Sequence, residues 1–158
     1  AEDSIRFVLR NGHKDFIDFQ NKNIGCWSWI GRQGGGQNLN LQTPSCTYYV
    51  GTAIHEINHA IGFWHEHTRE DRDNYVSINW NNIQRDQQYN FNKAPQKQIT
   101  YNVPYDYKSV MHYSEYAFAI NPNVKTIMPT NPPDATIIGE RSGLSNGDVL
   151  KINRMYEC

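Results

Sequence analysis

The chain has 158 residues, a formal net charge of −1 and 38% hydrophobic residues. Its mean hydropathy of −0.75 would suit a disordered chain, but disordered chains are charge-rich and poor in aromatics, and here 20% of residues are charged and 13% aromatic. The near-zero charge gives no general basis for binding nucleic acid or an anionic membrane, and without a run of 18 apolar residues nothing spans a bilayer.

The polarity comes from amides, with 18 asparagines. That composition predicts one loop-rich globular domain with an aromatic core, a length that also suits two lobes around a cleft. In chain order, the alternations Phe7/Leu9 within Arg6 to Arg10 and Ile17/Phe19 within Asp15 to Gln20 read as strands. Cys26 to Ile30 reads as a third and Asn38 to Gln42 as a fourth. Between these last two lies Gly31-Arg32-Gln33-Gly34-Gly35-Gly36, a flexible turn. It is not a phosphate loop, because no Lys-Ser or Lys-Thr follows.

From Thr47 to Phe63 the period changes. Val50, Ala53, Ile54, Ile57, Ala60 and Ile61 recur at three and four residues, which predicts an amphipathic helix. Gly62 is its natural stop. Asn79 to Phe91 reads as a second, more polar helix. Residues 92 to 144 carry six prolines, Pro95, Pro104, Pro122, Pro129, Pro132 and Pro133, and are expected to be irregular with short strands at most. Ser145 followed by Asp148 predicts a capped start to a last helix, with Val149, Ile152 and Tyr156 on one face.

Three cysteines, Cys26, Cys46 and Cys158, are an odd count, and none forms a C-x-x-C pair, which argues against a cysteine-based zinc site. The metal-ligating signal is elsewhere. His55-Glu56-Ile57-Asn58-His59 puts two imidazoles four residues apart on one helical face. Glu56 sits about 100° around from His55, near the ion without ligating it, where it can accept a proton. Gly62 and His65 extend the motif to His-Glu-x-x-His-x-x-Gly-x-x-His. In a continuing helix His65 would stand about 240° away from His59, so the helix must break, and Gly62 stands where it can. Three neutral imidazoles suit zinc and leave coordination positions open, a catalytic layout rather than a structural one.

These residues resemble the metzincin zinc peptidases, whose methionine turn is matched by Ser109-Val110-Met111-His112-Tyr113. More narrowly the chain resembles the astacin family over essentially its whole length. The marks are Glu66 after His65, the run Arg69 to Val76, Ile78-Asn79-Trp80, the tyrosine two residues after Met111, Gly25-Cys26-Trp27-Ser28, and Gly139-x-Arg141-x-Gly143-Leu144-Ser145. The resemblance implies an α+β, metzincin-like fold in a single peptidase catalytic domain over 1–158. An upper lobe of about 1–65 would hold a twisted mixed sheet and the active-site helix. An irregular lower lobe of about 66–158 would end in the C-terminal helix, with the cleft between them.

It also implies site roles. His55, His59 and His65 would hold one Zn2+ ion. Glu56 would be the general base and then the acid. Tyr113 would be an additional, labile ligand that swings away and stabilises the oxyanion. Met111 would form a hydrophobic floor, and Cys26 and Cys46 would pair as a disulfide, which also implies a secreted protein in an oxidising compartment. Trp27, near a strand edge where an extended peptide could add, is a candidate substrate contact, and Arg141 with Lys125 would favour acidic side chains beyond the scissile bond. His112 has no assigned role, and His13 and His67 read as surface or supporting histidines.

Two departures from the family pattern stand out. By the resemblance, the chain is expected to begin near the end of what is usually a first long helix, without the N-terminal amine that Glu66 would receive. Ser4 also stands where a cysteine usually partners the one at Cys158. The function implied is a zinc-dependent endopeptidase acting on extracellular proteins or peptides. The alternatives are an inactive zinc-binding module and a zinc hydrolase of a non-peptide amide or ester. No Asn-x-Ser/Thr site is present for N-glycosylation.

Overall fold

A computed structural model describes residues 5–94, 100–132 and 138–158. The expectations at Ser4, Pro95 and Pro133 lie outside the described residues. The fold is α+β, in the order β1 (Phe16–Gln20), β2 (Cys26–Ser28), β3 (Gly36–Leu41), α1 (Val50–Ile61), β4 (Val76–Ile78), β5 (Ile127–Pro129) and α2 (Asn146–Tyr156). Backbone contacts group the chain into two units, Ala1–Phe63 with Arg141–Cys158, and Trp64–Glu140. The C-terminal helix, expected with the second lobe, therefore groups with the first sixty-odd residues. The reason is local: Tyr156 Oη donates to the Ile61 carbonyl at 2.7 Å, and the Gly51 amide donates to the Arg141 carbonyl at 3.1 Å.

The first unit is built on a three-stranded mixed sheet in the order β1-β3-β2. β1 runs parallel to β3 with Phe16 opposite Gly36, and β2 runs antiparallel with Trp27 opposite Asn40. Gly36 leaves room for the Phe16 ring, since a Cβ there would come 2.7 Å from its Cζ. α1 packs on β2 and β3. The three expected strands after residue 15 are present. Arg6 to Arg10 is not a strand: Phe7, Val8 and Leu9 are exposed, and among the described residues no strand pairs with them. An alternating pattern forms a strand only where a ladder partner is available.

Side-chain amides replace the missing ladder in the loops. Fully buried Asn40 donates to the carbonyls of Lys22 and Gly25 and accepts from the Lys22 amide. Gln42 Oε1 accepts from the Gly25 amide at 2.8 Å. A buried backbone group without a partner costs more than a made bond gains, and these amides supply the partners. Cys26 and Cys46 form the disulfide implied by the resemblance, with Cα atoms 5.7 Å apart. Cys158 is exposed and unbridged among the described residues, its thiol donating to the Tyr156 carbonyl.

The second unit carries the antiparallel pair β4-β5 over a core of Val76, Ile83, Phe91, Tyr105, Ile127 and Ile138. Asn79 to Phe91 is not one helix. Two 3-10 segments, Trp80–Asn82 and Arg85–Phe91, flank Ile83, which is fully buried and bridges to Ala119 in extended conformation. Burial of one isoleucine in an extended bridge outweighs helix propensity here. Asn82 repeats the device of Asn40, donating to the carbonyls of Asn121 and Val124 and accepting from the Asn121 amide.

α2 opens with the expected capping box, Ser145 accepting from the Asp148 amide and Asp148 from the Ser145 amide. Its buried face differs from the expected one. Asp148 and Lys151 are buried, Ile152 is half-buried, and Val149 and Tyr156 are exposed. The helix is oriented by Met155, whose methyl lies against Gly62, and by the Tyr156 hydroxyl on Ile61.

The disulfide closes a span of 20 residues, for which the chain-entropy effect is about 3 kcal/mol. The double variant Cys26→Ser/Cys46→Ser should lose about that much stability in urea unfolding. An unchanged midpoint would show that the amide network alone holds the span.

Candidate metal centre

Ala53, Ile54, Ile57 and Ile61 give α1 its period, yet they are only half-buried and Val50 is exposed. The buried face is the polar one: His55, Glu56, Asn58 and His59, with Gly51 and Ala60. Asn58 is satisfied within the helix, donating to the Ile54 carbonyl at 2.8 Å. Gly51 is required by packing, because a Cβ there would fall inside the Arg141 carbonyl. Nothing in the sequence pattern marks this glycine.

α1 ends as expected at Gly62, in left-handed conformation with φ 119°. The Gly62 amide donates to His59 O at 2.9 Å and the Phe63 amide to Asn58 O at 3.0 Å, the paired bonds of a Schellman cap. The Gly31 amide takes the His59 carbonyl as well, at 2.8 Å. Past the cap the chain is extended, with His65 at φ −62°, ψ 139°. The break allows what a continuous helix forbids: the ligating nitrogens of His55, His59 and His65 all lie within 4.8 Å of one another.

The donor set fits zinc. His59 Nδ1 donates to the Phe63 carbonyl at 2.7 Å, which leaves Nε2 as the ligating atom with its lone pair free of the proton. Burial holds the His59 imidazole neutral, down to about 4 from an ordinary 6.5. Neutral imidazole is the form that binds a metal. Burial has the opposite effect on Glu56, raising its carboxyl from 4.5 to about 7, with the Arg141 charge acting in the lowering direction.

Met111 is 3% exposed, and its carbonyl accepts from the Glu66 amide at 3.0 Å. This bond ties the methionine turn to the residue after the third histidine. Glu66 does not want for a partner: its Oε1 accepts from Arg69 Nη1 at 2.9 Å and from the Asp106 amide at 3.0 Å. Arg69 also forks onto Asp71. The Tyr113 ring lies 4.5 Å from that of His65 and stacks at 4.1 Å on that of His67. His67 and His112 are fully buried, so the surface reading of His67 does not hold. Trp27 is half-buried in β2, edge-on to Trp29. Lys125 is paired with Glu115 at 2.6 Å.

The sequence profile of the Astacin peptidase family matches residues 1–157. The chain belongs to the astacin family. Among its relatives, High choriolytic enzyme 2 of Oryzias latipes is 47% identical over 154 residues, 98% of this chain and 53% of its own length. Meprin A subunit alpha of Rattus norvegicus is 45% identical over 155 residues, 98% of this chain and 20% of its own. The chain thus spans about half the length of the choriolytic relatives. The structure of High choriolytic enzyme 1, described as a hatching enzyme zinc-protease from Oryzias latipes, superposes with a TM-score of 0.91 at 46% identity, covering 97% of this chain and 74% of that one. Myroilysin shares the fold, with a TM-score of 0.62 at 21% identity. Zinc is thus the metal of this astacin-family site, in agreement with its three-histidine donor set.

Glu56 and His59 give the metal-free domain opposed pH dependences. Glu56 binds its proton more tightly folded, so its contribution is present below 4.5 and lost as pH rises through about 7. His59 binds its proton less tightly folded, so its contribution is present above 6.5 and lost as pH falls through about 4. Glu56→Gln removes the first limb alone. In chelator-treated protein this variant should exceed the parent by up to about 3 kcal/mol at pH 8, and the gap should close by pH 4.5. Urea unfolding at the two pH values measures it, and an equal gap at both would refute the assignment.

Proposed function

We propose that this domain is a zinc-dependent endopeptidase that cleaves extracellular proteins or peptides, with Glu56 as its general base. The observation that carries the reading is the convergence of His55, His59 and His65 on one point from a helix whose next buried side chain is Glu56. Zinc, when bound, polarises the scissile carbonyl and lowers the pKa of the attacking water. Glu56 accepts a proton from that water and returns it to the leaving amine. A carboxyl raised to about 7 by burial is suited to both roles at neutral pH.

Tyr113, with its ring against His65, is the donor for charge developing on the carbonyl oxygen, and acts as the labile fourth protein ligand between turnovers. Met111 supports the site by packing and through its carbonyl. β2 is an edge strand of the described sheet, so an extended peptide can add beside Trp27 through backbone hydrogen bonds. Arg141 acts electrostatically on Glu56, which supports its recognising an acidic side chain near the cleaved bond. The disulfide supports a secreted protein. No helix among the described residues is long and apolar enough to cross a membrane.

Hydrolysis of an unfolded protein should stop on chelation and return with zinc. Glu56→Gln should retain zinc at parental stoichiometry while kcat/KM falls by about 10³ or more. A variant that keeps full hydrolysis would exclude Glu56 as the base, and zinc-loaded parent protein without peptidase activity would favour the inactive zinc-binding module.

A further inference from the structure

His112 follows Met111 directly and is fully buried. Both its ring nitrogens are engaged. Nδ1 lies 2.7 Å from the Tyr113 carbonyl, and a carbonyl only accepts, so Nδ1 carries a proton and donates it. On the neutral ring Nε2 is then an acceptor, and Tyr105 Oη lies 2.7 Å from it. Tyr105 is itself fixed, stacked on Tyr75 at 4.6 Å and 6°, with the Arg69 guanidinium 5.4 Å from its ring centroid. The peptide that follows Tyr113 is held from another direction. Gly139, in left-handed conformation, lies so close that a Cβ would come 2.6 Å from Tyr113 C and Ser114 N. A tyrosine that must leave and regain one position needs a fixed backbone, so that only its side-chain torsions change.

We propose that Tyr105 and His112 are positioning residues that act through Tyr113: a two-link hydrogen-bond clamp on its carbonyl fixes the backbone from which the phenol works. The clamp rests on the reading of Tyr113 as a participant in the reaction. His112 imposes direction on the clamp, since its one donated proton goes to Tyr113 and its one lone pair takes the Tyr105 hydroxyl. Removing that hydroxyl leaves the ring stack with Tyr75 in place and frees only the outer end of the clamp.

The test is a double-mutant cycle on the zinc-loaded domain with a peptide substrate. Tyr113→Phe should lower kcat by about 100-fold. Tyr105→Phe should lower kcat by about 10-fold with KM within about twofold, and should cost nothing further in the Tyr113→Phe background. His112→Asn, which keeps a donor near the Nδ1 position, should retain more activity than His112→Leu. A second readout uses Cu2+ in place of zinc, a substitution that the general order of metal affinities favours. The phenolate-to-copper absorption should vanish in Tyr113→Phe and weaken in Tyr105→Phe. Equal loss from Tyr105→Phe in both backgrounds, or parental kcat and copper absorption in Tyr105→Phe beside a disabled Tyr113→Phe, would overturn the clamp alone. Parental kcat in Tyr113→Phe would overturn the reading of Tyr113 and the clamp with it.

Discussion

Histidines at 55, 59 and 65 cannot face one ion from a single helix, and the left-handed residue at Gly62 is what removes the conflict. Its amide and that of Phe63 close the last turn of α1 on His59 and Asn58. Two other parts of the chain bear on the same turn through three contacts: the Gly31 amide on His59 O, the Tyr156 hydroxyl on Ile61 O, and the Met155 methyl against Gly62 itself. A helix normally leaves its final carbonyls to solvent or to a cap. Here they are the points at which the β2–β3 loop and the C-terminal helix attach, so the reversal that aims the third ligand is also the anchor of the first unit.

Function is written against stability on the same helix. A buried carboxylate and a buried imidazole are each costly in the charged form, and Glu56 and His59 are held close to their neutral forms by that cost. Glu66, ten residues on, is buried as deeply but meets a guanidinium and a backbone amide. Burial dominates at Glu56, whereas at Glu66 a guanidinium and a backbone amide offset it.

The second unit has little regular structure and is ordered by other means. Asn82 ties three backbone groups across forty residues of sequence. Tyr105, His112, Tyr113, His67 and Phe91 form a run of ring contacts next to the methionine turn. These ring contacts suit a region whose backbone bonds are mostly local turns.

The sequence by itself determined the helix, its stop at Gly62, the three histidines of the metal site with Glu56 beside them, and the capping box of α2. Each of these is a short-range pattern, in which the spacing along the chain sets the geometry directly. The pairing of Cys26 with Cys46 and the roles proposed for Met111 and Tyr113 came through family resemblance, since they depend on residues distant in sequence. Tertiary structure decided what spacing cannot express. Residues 6–10 alternate like a strand but have no strand beside them. Residues 79–91 have helical content but yield to Ile83, which is buried in extended form. The apolar stripe of α1 is less buried than its polar face, because the metal ligands rather than the isoleucines must face inward. His112 and Tyr105, seven residues apart in a loop, became partners only when the fold closed around them. Burial and partner choice are properties of the whole chain, and no local pattern records them.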